Sequence, residues 1–110
     1  MKYISTRAMH SNGVSSAMAI KSGLATDGGL FMPESIPEID LNFINELSSI
    51  SYPERAAKVL SLFLTDYGYD ELLEDANLAY SEDKFIPSPA PVTQMAGKMN
   101  ILESTCGTVP

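Results

Sequence analysis

Two short groups of residues in the first third of the chain have the types and spacing to recognise an anion or to hold a turn. The first is Ser5-Thr6-Arg7, and the second is Asp27-Gly28-Gly29. Arginine suits a phosphate or a carboxylate because its planar guanidinium donates two parallel hydrogen bonds. A carboxylate followed by two glycines favours a tight turn, since glycine adopts positive φ and permits close backbone approach. These six residues are therefore the candidate site.

Two roles for these groups are compatible with their types. In the first, Arg7 pairs with Asp27 and fixes a strand against the turn, while the two glycines only permit the bend. In the second, both groups contact a neighbouring domain or a substrate. Spacing alone favours neither role, so both are kept as hypotheses.

Two short strands and the turn between them are the elements that must position the candidate site. Residues 2–7 contain Tyr, Ile and Thr in partial alternation, which favours a strand. Residues 30–32 are an apolar Leu-Phe-Met run that suits a buried strand and is stopped by Pro33. We expect the two strands to pair as a small sheet, which needs a helix against it because an isolated two-stranded ribbon is marginally stable.

About four helices complete the prediction. Ser15 or Ser16 caps the first, and Gly23 ends it. The third runs to about Tyr67 and is ended by Gly68. The caps predicted for the later helices are Asp40 for the second (41–48), the capping box Ser51 with Glu54 for the third, and Asp70 for the fourth. The apolar positions predicted at helical spacing are Ala17, Ile20 and Leu24 in the first; Leu41, Ile44 and Leu47 in the second; Ala56, Val59, Leu60, Phe63 and Leu64 in the third; and Leu72, Leu73, Ala76, Ala79 and Tyr80 in the fourth. The sequence therefore predicts an α+β fold that is predominantly helical.

Composition limits the kinds of binding partner and the cellular compartment that we expect for this protein. The 110 residues are 45% hydrophobic and carry a net charge of −7, with seven basic and fourteen acidic residues. That balance disfavours nucleic acid and anionic membranes, which require clustered Lys and Arg. No apolar run approaches the roughly 20 residues that span a bilayer, and the first residues lack the apolar core of a secretory signal. Together with a single cysteine, these features predict a cytoplasmic protein.

Residues elsewhere in the chain do not form a catalytic, cofactor-binding or metal-binding pattern. The single histidine, His10, is separated from Cys106 by almost the whole chain, and no His/Cys cluster has ligand spacing. Acidic residues around the fourth helix are interpreted as a solvated face. The lysines are scattered and are interpreted as surface residues: Lys2, Lys21, Lys58, Lys84 and Lys98. We therefore expect no cofactor lysine in this chain.

Two motifs in this order resemble the N-terminal domain of threonine synthase. Residues 3–7 read YISTR, and residues 23–37 read GLATDGGLFMPESIP, with a short helical segment at 14–17 between them. The family has Y-x-S-T-R-G, then V-S-F-x-x-A, then G-L-A-x-D-G-G-L-[FY]-x-P-E-x-I-P. This chain differs in having Ala8 where the family prefers glycine, and Ala17-Met18 where it often has acidic residues.

The resemblance implies a function for a longer protein. Threonine synthases use pyridoxal phosphate to turn O-phosphohomoserine and water into threonine and phosphate. By resemblance, this domain packs on the catalytic domain and helps to close the active site. The six candidate residues would then lie at the domain junction, near the entrance used by the phosphorylated substrate.

The last quarter of the chain is predicted to be a connection. Residues 1–85 are expected to form the threonine-synthase-like domain, and residues 86–110 a proline-rich linker that leads towards a catalytic domain. In the family a segment resembling E-L-F-H-G-P-T-x-x-F-K-D follows and supplies the cofactor lysine. Here Glu103 and Gly107 fit that segment, but Cys106 replaces its histidine and Thr108 its proline. The sequence ends before the lysine motif, so we expect a truncated, inactive chain.

Two other functions stay open. The domain could belong to a threonine-synthase-like phospholyase with a different substrate. Alternatively, it could be a free-standing helical module that binds another protein through an apolar face.

Overall fold

The α+β prediction with about four helices is confirmed. The computed structural model describes residues 1–7, 12–81, 84–85, 89–95, 97 and 99–102. The elements in chain order are β1 (Tyr3–Ser5), α1 (Ser16–Ser22), β2 (Phe31–Pro33), α2 (Leu41–Ser48), α3 (Tyr52–Phe63), α4 (Tyr69–Ala79), β3 (Val92–Gln94) and β4 (Asn100–Leu102).

The predicted pairing of the first two strands is confirmed. β1 and β2 are antiparallel, with Ile4 opposite Met32 and Ser5 opposite Phe31. β2 ends at Pro33, one residue later than predicted, and Leu30 instead forms an isolated antiparallel bridge with Leu24. A second isolated bridge joins Tyr3 of β1 to Val14, in the segment before α1. The small sheet is thus bordered by Val14 beside β1 and by Leu24 beside Leu30.

Three predicted helix caps are confirmed. Each consists of a hydrogen bond between residues only three positions apart, so residue types at short spacing were sufficient to predict it. Ser15 accepts a hydrogen bond from the Met18 amide at the start of α1, and Asp40 accepts one from the Phe43 amide at the start of α2. Ser51 opens α3 through a capping box, in which its own amide donates to a Glu54 carboxylate oxygen at 2.8 Å. Such reciprocal bonds satisfy amides that the first helical turn leaves without partners.

Three predictions about the junction between α3 and α4 were wrong. α3 ends at Phe63, four residues before the expected Tyr67, because Leu64 leaves the helical region with φ −94° and ψ 61°. Gly68 does not end α3 but is the N-cap of α4, and it leaves Asp70 within the first turn. Asp70 therefore stabilises the helix through its charge near the positive end of the helix dipole and not as a cap.

The buried core among the described residues is small. Its hydrophobic members are Ala19, Ala57, Leu72 and Ala76. α3 packs against α4, and the buried alanines allow two backbones to approach closely. The ring of Tyr52, the first residue of α3, and the ring of Tyr80, which follows α4, form an edge-to-face pair with centroids 4.9 Å apart.

Several predicted apolar faces were therefore wrong in detail. In α1 the buried residues are Ser16 and Ala19, whereas Ala17, Ile20 and the following Leu24 are exposed. In α2 no residue is buried. Leu72 and Ala76 are buried in α4 as predicted. The exposed members of the other predicted faces are Leu41, Ile44, Val59, Leu60 and Ala79.

The start of the chain is fixed against the turn between α3 and α4. The Tyr3 hydroxyl donates to the Phe63 carbonyl oxygen at 3.2 Å, and the N-terminal ammonium donates to the Thr65 hydroxyl. Partial burial and, secondarily, the nearby Asp66 carboxylate raise the pKa of the Tyr3 phenol. The α3–α4 pair is thus the support that the β1–β2 sheet requires.

A second sheet, formed by β3 and β4, was not predicted. The two strands are antiparallel, with Thr93 opposite Ile101, and all six of their residues are exposed. The sequence indicated only a connection there, because it has one short apolar pair and many turn formers. In the described part of the chain, no helix has both the length and the apolar character that crossing a membrane requires.

Candidate functional site

A hydrogen bond between Ser5 and Asp27 joins the two groups of the candidate site. The Ser5 hydroxyl donates to Asp27 Oδ1 at 2.7 Å, and the same oxygen accepts from the Gly29 amide at 2.9 Å. Ser5 also accepts from the Arg7 amide at 3.2 Å. Ser5 and Gly29 are buried, whereas the Asp27 side chain is exposed. A buried hydroxyl, a carboxylate and two amides therefore fasten β1 to the turn before β2.

Gly29 is required by this contact, because there is no room for a side chain. A Cβ at position 29 would lie 2.1 Å from Ser5 Oγ and 3.1 Å from the Arg7 amide nitrogen. Gly28 has a different role: its φ of 76° lies in the left-handed region that glycine adopts most readily. The two glycines are therefore not interchangeable, since one forms the bend and the other admits Ser5.

Arg7 contacts Asp27, but not through a carboxylate ion pair. Its Nη1 donates to the Asp27 backbone carbonyl oxygen at 3.0 Å. Arg7 and Thr6 are exposed, so the guanidinium lies at the surface beside the turn. The first hypothesis, in which Arg7 fixes the strand against the turn, thus describes a contact that is present, although the acceptor is a peptide oxygen.

Thr6 extends the pairing of the strands by one residue. Its amide donates to the Leu30 carbonyl oxygen at 2.9 Å, and its hydroxyl accepts from the Leu30 amide at 3.1 Å. The turn itself is closed by the Ala25 amide, which donates to the Gly29 carbonyl oxygen at 3.0 Å. The structure therefore brings all six predicted site residues together.

The hydrogen bonds lower the pKa of the Asp27 carboxyl. The Ser5 hydroxyl has the largest effect and the Gly29 amide the next, because both donate to the charged form. The positive charge of Arg7 acts in the same direction. Asp27 is therefore a carboxylate at neutral pH.

A cavity of about 380 Å³ lies on one side of the site. Tyr3 and Ser5 of β1, Phe31 of β2 and Asp27 of the turn are among its lining residues, together with Val14. Its lining residues are aromatic, aliphatic and polar, and Asp27 is the one acidic residue among them. Arg7 is not among the residues that line it.

Three of the predicted surface lysines, Lys2, Lys58 and Lys84, have partners within the domain, whereas Lys98 lies outside the described residues. Lys2 Nζ donates to the Asn12 carbonyl oxygen at 3.1 Å, and Lys84 Nζ donates to that of Leu78 at 2.7 Å. Lys58 forms an ion pair with Glu46 at 2.9 Å, and this partner raises its pKa. We assign no step of cofactor chemistry to these lysines.

One structural residue, Asp66, was missed by the sequence analysis. It was assigned to the solvated acidic face, but it accepts a hydrogen bond from the Ala17 amide at 2.9 Å. No local signal identifies it, because its partner is 49 positions away. Ala8, His10 and residues 103–110, which include Cys106, lie outside the described residues. Within the described ranges, no group of three or more His, Cys, Asp or Glu residues could hold a metal ion.

Together, the fold and the site define a small α+β domain in which side-chain hydrogen bonds fix a two-stranded sheet to a glycine turn. Comparison with known proteins places this domain in a family. The family described as "Threonine synthase N terminus" matches residues 2–80, and the chain belongs to it.

Similar proteins are much longer than this chain. Threonine synthase of Schizosaccharomyces pombe is 35% identical over 105 residues, which are 94% of this chain and 20% of that protein. Threonine synthase-like 2 of Xenopus laevis is 32% identical over 108 residues, 94% of this chain and 22% of its own length. The crystal structure of Escherichia coli threonine synthase matches with a TM-score of 0.79 and 32% identity, over 94% of this chain and 23% of that one. This chain thus spans about a fifth of the relatives that it matches.

Proposed function

We propose that this chain is the N-terminal domain of a threonine synthase, whose full-length form uses pyridoxal phosphate to convert O-phosphohomoserine and water into threonine and phosphate. The similarity to the E. coli enzyme carries the proposal, because it extends over 94% of this chain at a TM-score of 0.79. Residues 1–85 are the domain, and residues 86–110 connect it to the catalytic domain. The single cysteine supports a cytoplasmic setting.

The domain has a structural and not a chemical part in this function. It packs on the catalytic domain and helps to exclude bulk water, which protects reactive intermediates. The bond from Ser5 to Asp27 supports this role, since it stabilises a rigid turn. Arg7 presents its guanidinium beside that turn, where it can contact the catalytic domain or the phosphate of the entering substrate.

A chimeric enzyme tests the proposal. We would replace the matched N-terminal part of E. coli threonine synthase with this chain and measure phosphate release from O-phosphohomoserine. Activity in the chimera, and none in an enzyme that simply lacks the N-terminal part, is the expected result. An inactive chimera would contradict the proposal.

The inactivity of the chain alone needs its own measurement. Incubation with pyridoxal phosphate followed by borohydride should leave no stable lysine adduct, and no phosphate should be released from substrate. A reducible adduct together with turnover would show that the chemistry resides in these 110 residues.

A phospholyase with a different substrate is the second candidate, because this chain is also similar, at 32% identity, to a protein named Threonine synthase-like 2. The domain would have the same structural role in both cases. Substrate profiling of the full-length protein separates them: threonine as product supports the first proposal, whereas phosphate release without threonine supports the second.

A further inference from the structure

We propose that one face of the β1–β2 sheet is the surface through which this domain docks on the catalytic domain. This inference rests on the proposed function and adds to it the location of the contact. We define the outer sheet face as Ile4, Leu30 and Met32, with Leu24 beside Leu30.

The register of the sheet places these side chains together. Ile4 lies directly opposite Met32, and opposed residues of an antiparallel pair share a face. Leu30 precedes Met32 by two positions and therefore points to the same side. The bridge between Leu24 and Leu30 extends the apolar surface to the neighbouring segment.

The opposite face of the sheet is already occupied. Tyr3, Ser5 and Phe31 alternate with the residues of the outer sheet face. Tyr3 bonds to the end of α3, and Ser5 bonds to Asp27. That face thus makes contacts within the domain and borders the cavity described above, while on the other face Ile4 is half-buried and Leu30 and Met32 are exposed.

The outer sheet face has the exposure and chemistry of an interface. Leu24 and Leu30 are each 59% exposed and Met32 is 48% exposed. None of these four residues is ionisable, although the exposed polar residues Lys2, Thr6 and Glu34 border them on the same side of the sheet. Single exposed apolar residues are ordinary, but adjoining ones of this size mark an interaction site.

The length of the relatives is compatible with a covering surface from the rest of a longer protein. The matched part is 20% of the S. pombe enzyme and 23% of the E. coli chain, so about four fifths of each protein lies outside it. An apolar and uncharged surface of that remaining polypeptide is the occupant that we assign. The bonds of Ser5, Asp27 and Gly29 hold the sheet in place before docking, which lowers the conformational cost of binding.

Charge substitutions in the chimera described above test the location. Leu30→Lys and Met32→Lys each place an ammonium in the proposed interface, where an unpaired buried charge is costly. Leu78→Lys is the matched control, since Leu78 is 63% exposed and lies on α4, away from the sheet. We expect L30K and M32K to lower phosphate release by about tenfold or more, because docking and water exclusion are lost, and L78K to retain the activity of the unmodified chimera.

Limited proteolysis and circular dichroism separate lost docking from misfolding. In the 110-residue chain, the far-ultraviolet spectrum should be the same with and without L30K, because the position is exposed. In the chimera, L30K should speed cleavage at the connection between the domains. Unchanged activity and cleavage in both sheet variants would overturn the inference, as would an equal loss in L78K. An inactive unmodified chimera would instead refute the proposed function, and with it this inference.

Discussion

Asp66 accepts a hydrogen bond from the backbone amide of Ala17 at 2.9 Å, and this contact fixes the first helix to the turn between α3 and α4. The amide belongs to the first turn of α1, where backbone donors have no partner within the helix. A carboxylate near a helix N-terminus is also favoured by the helix dipole. Asp66 therefore connects α1, which precedes the glycine turn, to the helical pair that supports the sheet.

Removal of the Asp66 carboxylate should make the chain less stable in a pH-dependent way. The Ala17 amide lowers the pKa of Asp66 below its ordinary value of 3.8. The stabilisation is thus fully present above the unfolded-state pKa and is lost as the pH falls through the lower folded-state value. Asp66→Ala should unfold at lower urea concentration than the wild type at pH 7, and the difference should shrink below about pH 4.

An exposed carboxylate on α4 provides the control for that measurement. Asp75→Ala should lower the unfolding midpoint at pH 7 by less than Asp66→Ala, because Asp75 is exposed. At about pH 2.5, carboxyl groups with ordinary pKa values are mostly protonated. If the difference in unfolding midpoint between D66A and the wild type is the same at that pH as at pH 7, the stabilisation does not depend on the charge of the Asp66 carboxylate.

Substitution of Gly29 should disrupt the turn. In Gly29→Ala the new methyl group would overlap Ser5 Oγ, so the sheet must shift or the bond to Asp27 must break. Overpacking of this kind costs about 3 kcal/mol of unfolding free energy, measured by urea unfolding followed by circular dichroism. Gly68→Ala is the control, because no atom lies within 4 Å of its Cβ position, and it should cost less than about 1 kcal/mol. Equal losses would show that the contact with Ser5 does not restrict position 29.

Two leucines on α4 test the assignment of the core. Leu72 is 3% exposed and Leu78 is 63% exposed. Leu72→Ala should lower the free energy of unfolding by about 3 kcal/mol, since it removes buried methyl groups and leaves a cavity. Leu78→Ala should change it by about 0.5 kcal/mol or less. A larger effect at Leu78 than at Leu72 would require a different packing of α4.

Features determined by neighbouring residues could be predicted from the sequence. Ser15, Asp40 and Ser51 each bond an amide three positions ahead, so residue type and short spacing are sufficient. The Asp27-Gly28-Gly29 turn was found for the same reason. Ser5 and Asp27 were predicted as site residues, although their mutual bond was not, since 22 positions separate them.

Features that depend on tertiary packing could not be predicted in this way. Helical spacing indicated Ala17 and Ile20 as the inner face of α1, but Ser16 and Ala19 are the residues that packing buries. Gly68 is a signal for a helix end or a helix start, and only the departure of Leu64 from helical geometry shows that α3 has already ended. All residues of β3 and β4 are exposed. These strands therefore have no buried face to produce an alternating apolar pattern, and the sequence gives no signal for them.

Adjacent serines at the start of α1 should respond to alanine with opposite signs. Ser15 Oγ accepts from the Met18 amide at 3.2 Å, so Ser15→Ala should lower the free energy of unfolding by about 1 kcal/mol. Ser16 is completely buried, and within the described residues its hydroxyl has no hydrogen-bond partner. Ser16→Ala removes the cost of an unsatisfied buried polar group and should raise the free energy of unfolding by about 1 kcal/mol. Urea unfolding of both variants at pH 7 measures the two changes. A Ser16→Ala variant less stable than the wild type would mean that the hydroxyl has a partner in solution.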